Sequence, residues 1–185
     1  SFEDFLNPKW RGNLVWSGTI TGSILFITAT RHAMGEEKGI AYLKKLAKQN
    51  IITIPSSNRV VVDSVVAGEY PVCLDAFLHH PIISAGKGAP VASLPLNPVI
   101  TLVSSVMLPK NVPHPYSAML FIDYLLSKDG QTVLQKANYF PAHNDVDAAA
   151  KLNVIVPKKI GMKENFISPA VMTSYMAKSR EIYKQ

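Results

Sequence analysis

The sequence predicts an α/β fold from three observations. Apolar, strand-like runs at Asn13–Trp16, Ile51–Ile54 and Pro71–Leu74 alternate with segments of helical spacing. Polar, turn-forming residues stand where those runs end, at Ser17 to Gly22, Pro55 to Arg59 and Asp75 to Phe77. An apolar content of 48% against 17% charged residues, over 185 positions, supplies a core for one domain or two small lobes and excludes a disordered chain.

In chain order, Phe2 to Leu6 reads as a short amphipathic turn that ends at Asn7-Pro8, since a proline disfavours helical geometry in the residue before it. Asn13–Trp16 follows as the first strand. Thr21 or Ser23 then caps an apolar helix through Ile24, Leu25, Ile27 and Thr28. Glu36 and Glu37 open the next helix and Lys44, Lys45 and Lys48 close it, a charge order that suits the helix dipole. Arg59–Ala67 is β-branched, yet its Val61/Val65 and Val62/Val66 spacings and terminal Gly68 predict a helix. Beyond it the sequence predicts a helix over Phe77–Ser84, a short strand over Val91–Leu94 and a longer buried strand over Val99–Met107. The last third reads as helical. Pro115 suits a first helical position ahead of the stripe Ala118, Phe121, Ile122 and Leu125, and Ser127 caps a second helix through Leu134. Asn138–Asp147 is loop, Ala148–Leu152 a short helix, and Ser168–Tyr183 a terminal helix.

The formal net charge of +6 favours anionic partners, but the basic residues are scattered and form no run of five. No zinc-finger, RNP-type or basic-zipper pattern is present, so nucleic acid is not an expected partner. Cys73 is the single cysteine and sits in an apolar run, which excludes a disulfide framework and predicts a small core residue. The uncharged stretch Asn13–Thr30 carries four threonines and two serines, and Gly88–Pro109 is broken by prolines. Neither reads as a membrane span.

Binding chemistry is concentrated at the strand ends. Ser56, Ser57 and Asn58 precede a helix, where side-chain oxygens and unpaired N–H groups can meet a ligand. Arg59 adds a planar fork of donors suited to a carboxylate or phosphate. Ser17, Thr19 and Thr21 repeat the strand–turn–helix arrangement and offer a second set of donors. Asp75 and Phe77 follow the third strand. The plain alternative is that the serines only cap helices and the arginine is solvated.

Catalytic signatures are sparse: no nucleotide-binding glycine loop, no Gly-x-Ser-x-Gly and no His-Glu-x-x-His occurs. Ser84-Ala85-Gly86-Lys87 matches Ser-x-x-Lys, the acylating pattern of penicillin-recognising enzymes, without its Lys-Thr-Gly companion. Adjacent His79 and His80 diverge on a helix and are read as surface or loop residues that do not share a metal. Neither a cofactor nor a metal is expected.

Several segments together resemble the bacterial extracellular solute-binding proteins of ABC importers, in the ferric-iron, thiamine and phosphonate group. They are NPKWRGN at 7–13, GEEKG at 35–39 running through Tyr42-Leu43, Ser56-Ser57 before Val66-Ala67-Gly68-Glu69, KGAP at 87–90, and HPYSA at 114–118 leading into LFIDYLLSKDGQ at 120–131. The resemblance covers most of the chain. It implies a periplasmic-binding-protein-like type II fold, with residues 1–95 as second lobe and 96–185 as the crossover strand and C-terminal helices that return to a first lobe outside this sequence. It further implies a substrate-binding component that captures a small solute in an interlobe cleft, exported to the periplasm, with an ABC permease as partner. Homodimerisation through an exposed apolar face is a further expectation. Iron-binding members carry a tyrosine pair shortly after the Gly-Glu, and here Leu78 and His79 stand near those places. A small anionic or zwitterionic solute, held at Ser17, Thr19, Thr21, Ser56, Ser57, Asn58, Arg59, Asp75 and Phe77, suits the residues better. An effector-sensing domain of a regulator is the alternative function, and a serine acyl-transferase using Ser84 and Lys87 a second.

Overall fold

A computed structural model describes residues 1–184. Its contacts divide the chain into two compact units: Ser1–Val103 together with the chain from Gly161 onward, and Ser104–Ile160.

At the centre of the first unit lies a parallel sheet of β1 (Leu14–Ser17), β2 (Ile52–Ile54) and β3 (Val72–Cys73), in the order β2-β1-β3. Val15 pairs with Ile52 on one side and with Cys73 on the other. Leu14 and Val15 are both fully buried, as expected where both faces of a parallel sheet are covered. From β1 the chain leaves to β2 on one side and then crosses to β3 on the other. This reversal makes the C-terminal end of β1 the switch point of the sheet, the place where α/β folds bind ligands.

The connections are helical. A wide turn at Ile20–Ile24 leads into α1 (Leu25–Met34), and α2 (Glu36–Ala47) packs back on α1. Phe2, Leu14, Phe26, Ile27, Tyr42, Leu43, Leu46 and Leu74 form the main core cluster. The Tyr42 hydroxyl donates to the Phe2 carbonyl at 2.8 Å, so the N-terminal turn is part of this core. α3 (Asn58–Val66) runs between β2 and β3 with Val61 and Val62 buried, and α4 (His79–Ala85) follows β3. The predicted helix over the valines therefore forms, one residue earlier than expected.

β4 (Val99–Leu102) and β5 (Glu164–Ile167) make a separate parallel pair, Val99 opposite Glu164 and Leu102 opposite Ile167. Sequence reasoning overextended β4 to Met107. Only four residues have a partner strand, and beyond them Met107 is 80% exposed. The expected strand at Val91–Leu94 does not form, and β5 was not expected. Its polar start, Glu164-Asn165, obscures an alternation in which Asn165 and Ile167 are buried while Glu164 and Phe166 face out. α7 (Pro169–Tyr183), capped by Ser168, packs on α1.

In the second unit, α5 (Pro115–Leu126) packs with α6 (Lys128–Lys136), followed by a 3-10 turn at Ala150–Ile155. The Gln131 side chain donates to the Leu125 carbonyl at 2.7 Å and accepts the Ala142 N–H at 2.6 Å. α5 buries no residue: Tyr116, Leu120 and Phe121 are all more than half exposed. The compact units divide at 103/104 and again at 160/161, with β5 and α7 grouped in the first unit.

Candidate ligand-binding site

Three strand ends converge on one hydrogen-bonded cluster. The buried Ser17 closes β1. Its N–H donates to Asp75 Oδ2 at 2.9 Å, beyond β3, and its Oγ donates to the Ser56 carbonyl at 2.6 Å, beyond β2. Ser17 Oγ and Thr19 Oγ1 lie 2.8 Å apart, within hydrogen-bond distance. Asn58, buried at the start of α3, donates from Nδ2 to the Asp75 carbonyl at 2.8 Å. Ser17, Thr19, Ser56, Asn58 and Asp75, separated by up to 58 positions in sequence, therefore form one framework.

Asp75 is the unusual member. Burial pushes its carboxyl pKa up to about 6, against the lowering effect of the hydrogen bonds from Ser17 N–H and the Cys73 thiol. That thiol donates to Oδ1 at 3.3 Å, and burial, then the neighbouring carboxylate, drive its own pKa upward. Cys73 is thus half-buried and engaged with Asp75, not the plain core residue the sequence suggested. The backbone of Gly22 presses on the same carboxylate: a Cβ there would stand 2.6 Å from Asp75 Oδ2 and 2.7 Å from the Ser17 carbonyl. Only a glycine lets the turn come this close. Sequence reasoning missed the roles of Gly22 and Cys73; the polar turn Thr21-Gly22-Ser23 was the available signal for Gly22.

The other expected site residues are placed differently. Arg59 is engaged by α3 and α4: its guanidinium forms an ion pair with Asp63 and donates to the His80 carbonyl at 3.3 Å and to Ser84 Oγ at 2.7 Å. An arginine one turn before an aspartate on the same helix has a nearer partner than any ligand. Ser57 is an N-cap, its Oγ accepting the Val60 N–H. Thr21 is exposed. Phe77 stacks on His79 and packs against the Leu25, Ala29 and Ile167 cluster. The histidines are half-buried rather than surface residues. Burial, then the neighbouring His80, pushes the pKa of His79 down to about 4, and burial followed by Arg59 lowers that of His80. Among the described residues no group of three or more His, Cys, Asp or Glu side chains could hold a metal ion. Ser84 Oγ is held by Arg59, and Lys87 is exposed.

An α/β lobe whose polar groups meet at the ends of parallel strands belongs to the ligand-binding class of such folds. The comparisons narrow that class. The family model for bacterial extracellular solute-binding proteins matches residues 1–160. The periplasmic binding protein P5PA shares 26% identity at a TM-score of 0.73, over 100% of this chain and 58% of its own. The ferric binding protein from Campylobacter jejuni follows at 19% identity, TM-score 0.68, over 100% of this chain and 61% of its own. Apo FutA2 from Synechocystis PCC6803 is similar at 20% identity, TM-score 0.62, over 100% of this chain and 62% of its own. No curated protein matches. The chain belongs to the bacterial extracellular solute-binding protein family, and it spans about three fifths of the length of these structural neighbours. Its fold is the periplasmic-binding-protein fold that the sequence predicted.

Proposed function

We propose that the chain is part of the substrate-binding component of an ABC importer, exported to the periplasm, that receives a small anionic or zwitterionic solute and delivers it unchanged to a membrane permease. The convergence of Ser17, Thr19, Ser56, Asn58 and Asp75 at the strand ends carries this reading. Thr19, Thr21 and Ser56 supply donors for solute oxygens, while Ser17, Asn58 and Asp75 hold the three strand ends together. Arg59 and Ser57 act in this reading as supports that fix α3. Asp75 gives a cationic group on the solute a partner, which is why a zwitterion suits the site as well as an anion. Ferric iron suits it less, since a hard cation prefers phenolate oxygens, and Leu78 and His79 stand near the places where the family resemblance puts a tyrosine pair. The apolar face of α5 is a packing surface for the remainder of the fold that the longer neighbours possess.

Thermal-shift screening of carboxylates, phosphonates and amino acids against the protein tests this reading. A stabilising solute raises Tm with concentration, by mass action, and Ser17→Ala together with Thr19→Val abolishes the rise. A series in which only ferric iron stabilises the protein refutes the reading. A covalent adduct on Ser84 with an acylating probe would instead support an enzyme.

A further inference from the structure

α7 is fastened to α1 by a buried polar bracket. Arg31, 4% exposed, donates from Nη1 to the Tyr175 carbonyl at 3.1 Å and to Ser179 Oγ at 2.8 Å, and its Nε and Nη2 hold Glu36. Thr28 Oγ1 and Ser179 Oγ, both fully buried, lie 2.8 Å apart. Such a bracket fixes rotation as well as position, because slipping α7 by one residue would turn Ser179 about 100° away from Arg31.

Tyr175, Ser179 and Tyr183 recur every four residues and so share one helix face. Fixing the first two decides where the third falls. It falls at the end of β1. The Tyr183 ring packs on Trp16 at 5.9 Å between centroids, and its hydroxyl lies 3.2 Å from where a Cβ on Gly18 would stand. Gly18 joins Ser17 to Thr19, in the middle of the turn described above. The partly buried ring packs against the main core cluster, while the hydroxyl has no hydrogen-bond partner among the described residues.

We propose that Tyr183 is a specificity-determining residue of the solute site, its hydroxyl donating a hydrogen bond to an oxygen of the solute held at the Ser17 to Thr19 turn. The proposal rests on the binding function proposed above. A phenol hydroxyl is a hydrogen-bond donor that can meet a solute oxygen. It selects carboxylate, phosphate or phosphonate oxygens over groups that carry only donors. Gly18 leaves room for the hydroxyl, since a Cβ there would stand 3.2 Å from it and one of the two would have to shift by a few tenths of an ångström.

The test is an amide NMR titration of the 185-residue protein with inorganic phosphate, in the wild type and in Tyr183→Phe, which keeps the ring and removes the hydroxyl. The expected result is saturable movement of the Gly18 and Thr19 amides in the wild type, with Kd about tenfold weaker in Tyr183→Phe, as for loss of a hydrogen bond to a charged group, at unchanged Tm. Equal affinity in the two proteins overturns the role of Tyr183 and leaves the strand-end site standing. Amides that do not move in the wild type overturn the site, and the proposal with it.

Discussion

The two compact units handle apolar surface in opposite ways. In the first, a three-stranded sheet is enclosed by helices, and Leu14, Val15, Leu46 and Val61 are fully buried. In the second, Leu152 and Ile155 are the buried apolar side chains among the described residues, while α5 exposes Tyr116, Met119, Leu120, Phe121 and Tyr124. A helix that is apolar all round is suited to burial on more than one side. The first unit therefore carries its own core, whereas α5 leaves its apolar side chains exposed among the described residues.

The sharpest way to break this comparison is to truncate one leucine in each unit. Leu46→Ala should cost about 2–5 kcal/mol by denaturant unfolding, the range for a fully buried leucine. Leu120→Ala, at a side chain 70% exposed, should cost less than about 0.5 kcal/mol. Equal losses would mean that α5 is packed in solution, and a second copy of the chain would then be the cover to seek by size-exclusion chromatography.

A second contrast lies within the first unit, between Asp75 and His79. Asp75 has a folded pKa of about 6, above its ordinary 3.8. Protonation therefore favours the folded state, and stability rises as pH falls from about 6 towards 4. His79 has a folded pKa of about 4, below its ordinary 6.5, so the unfolded chain takes up the proton first and stability falls over nearly the same window. The two effects oppose each other in the wild type. Asp75→Asn keeps an acceptor for the Ser17 N–H and removes the buried charge. It should stabilise the protein by up to about 3 kcal/mol at pH 8, and leave a profile that only loses stability between pH 6.5 and 4. Chemical denaturation across that range reads both changes, and an unaltered pH profile would show that Asp75 is not buried as described.

How much was legible follows from where the determining signals lie. β1, β2, β3, α2, α3, α5, α6 and α7 announce themselves through local periodicity and caps, and each formed within a few residues of expectation. β5 did not, because its identity depends on pairing with β4 across more than sixty positions. The site shows the same division. Ser17, Ser56, Asn58 and Asp75 were legible because strand ends in an α/β alternation must meet at one edge of the sheet. The pairing of Arg59 was not, since the reading of it as a ligand donor passed over an aspartate one helical turn away. Gly22 and Tyr183 were hidden for a third reason. Their importance lies in what stands opposite them in space, Asp75 for one and Gly18 for the other.

The smallest contrast compares the same local device in both units. Ser57 caps α3 through a 3.5 Å contact with the Val60 N–H, and Ser127 caps α6 through a 3.2 Å contact with the Gly130 N–H. Ser127 also donates to the Tyr124 carbonyl at 2.6 Å, so it ends α5 as it begins α6. Capping depends on local backbone geometry rather than on depth in a core, and an alanine at either position should cost about 0.5–2 kcal/mol. The shorter bond and the double duty place Ser127→Ala at the upper end and Ser57→Ala at the lower. Hydrogen exchange of the first-turn amides of α6 and α3 would register each loss where it occurs. If Ser127→Ala left α6 unchanged while Ser57→Ala opened α3, the helices of the second unit would owe their ends to something other than their own caps.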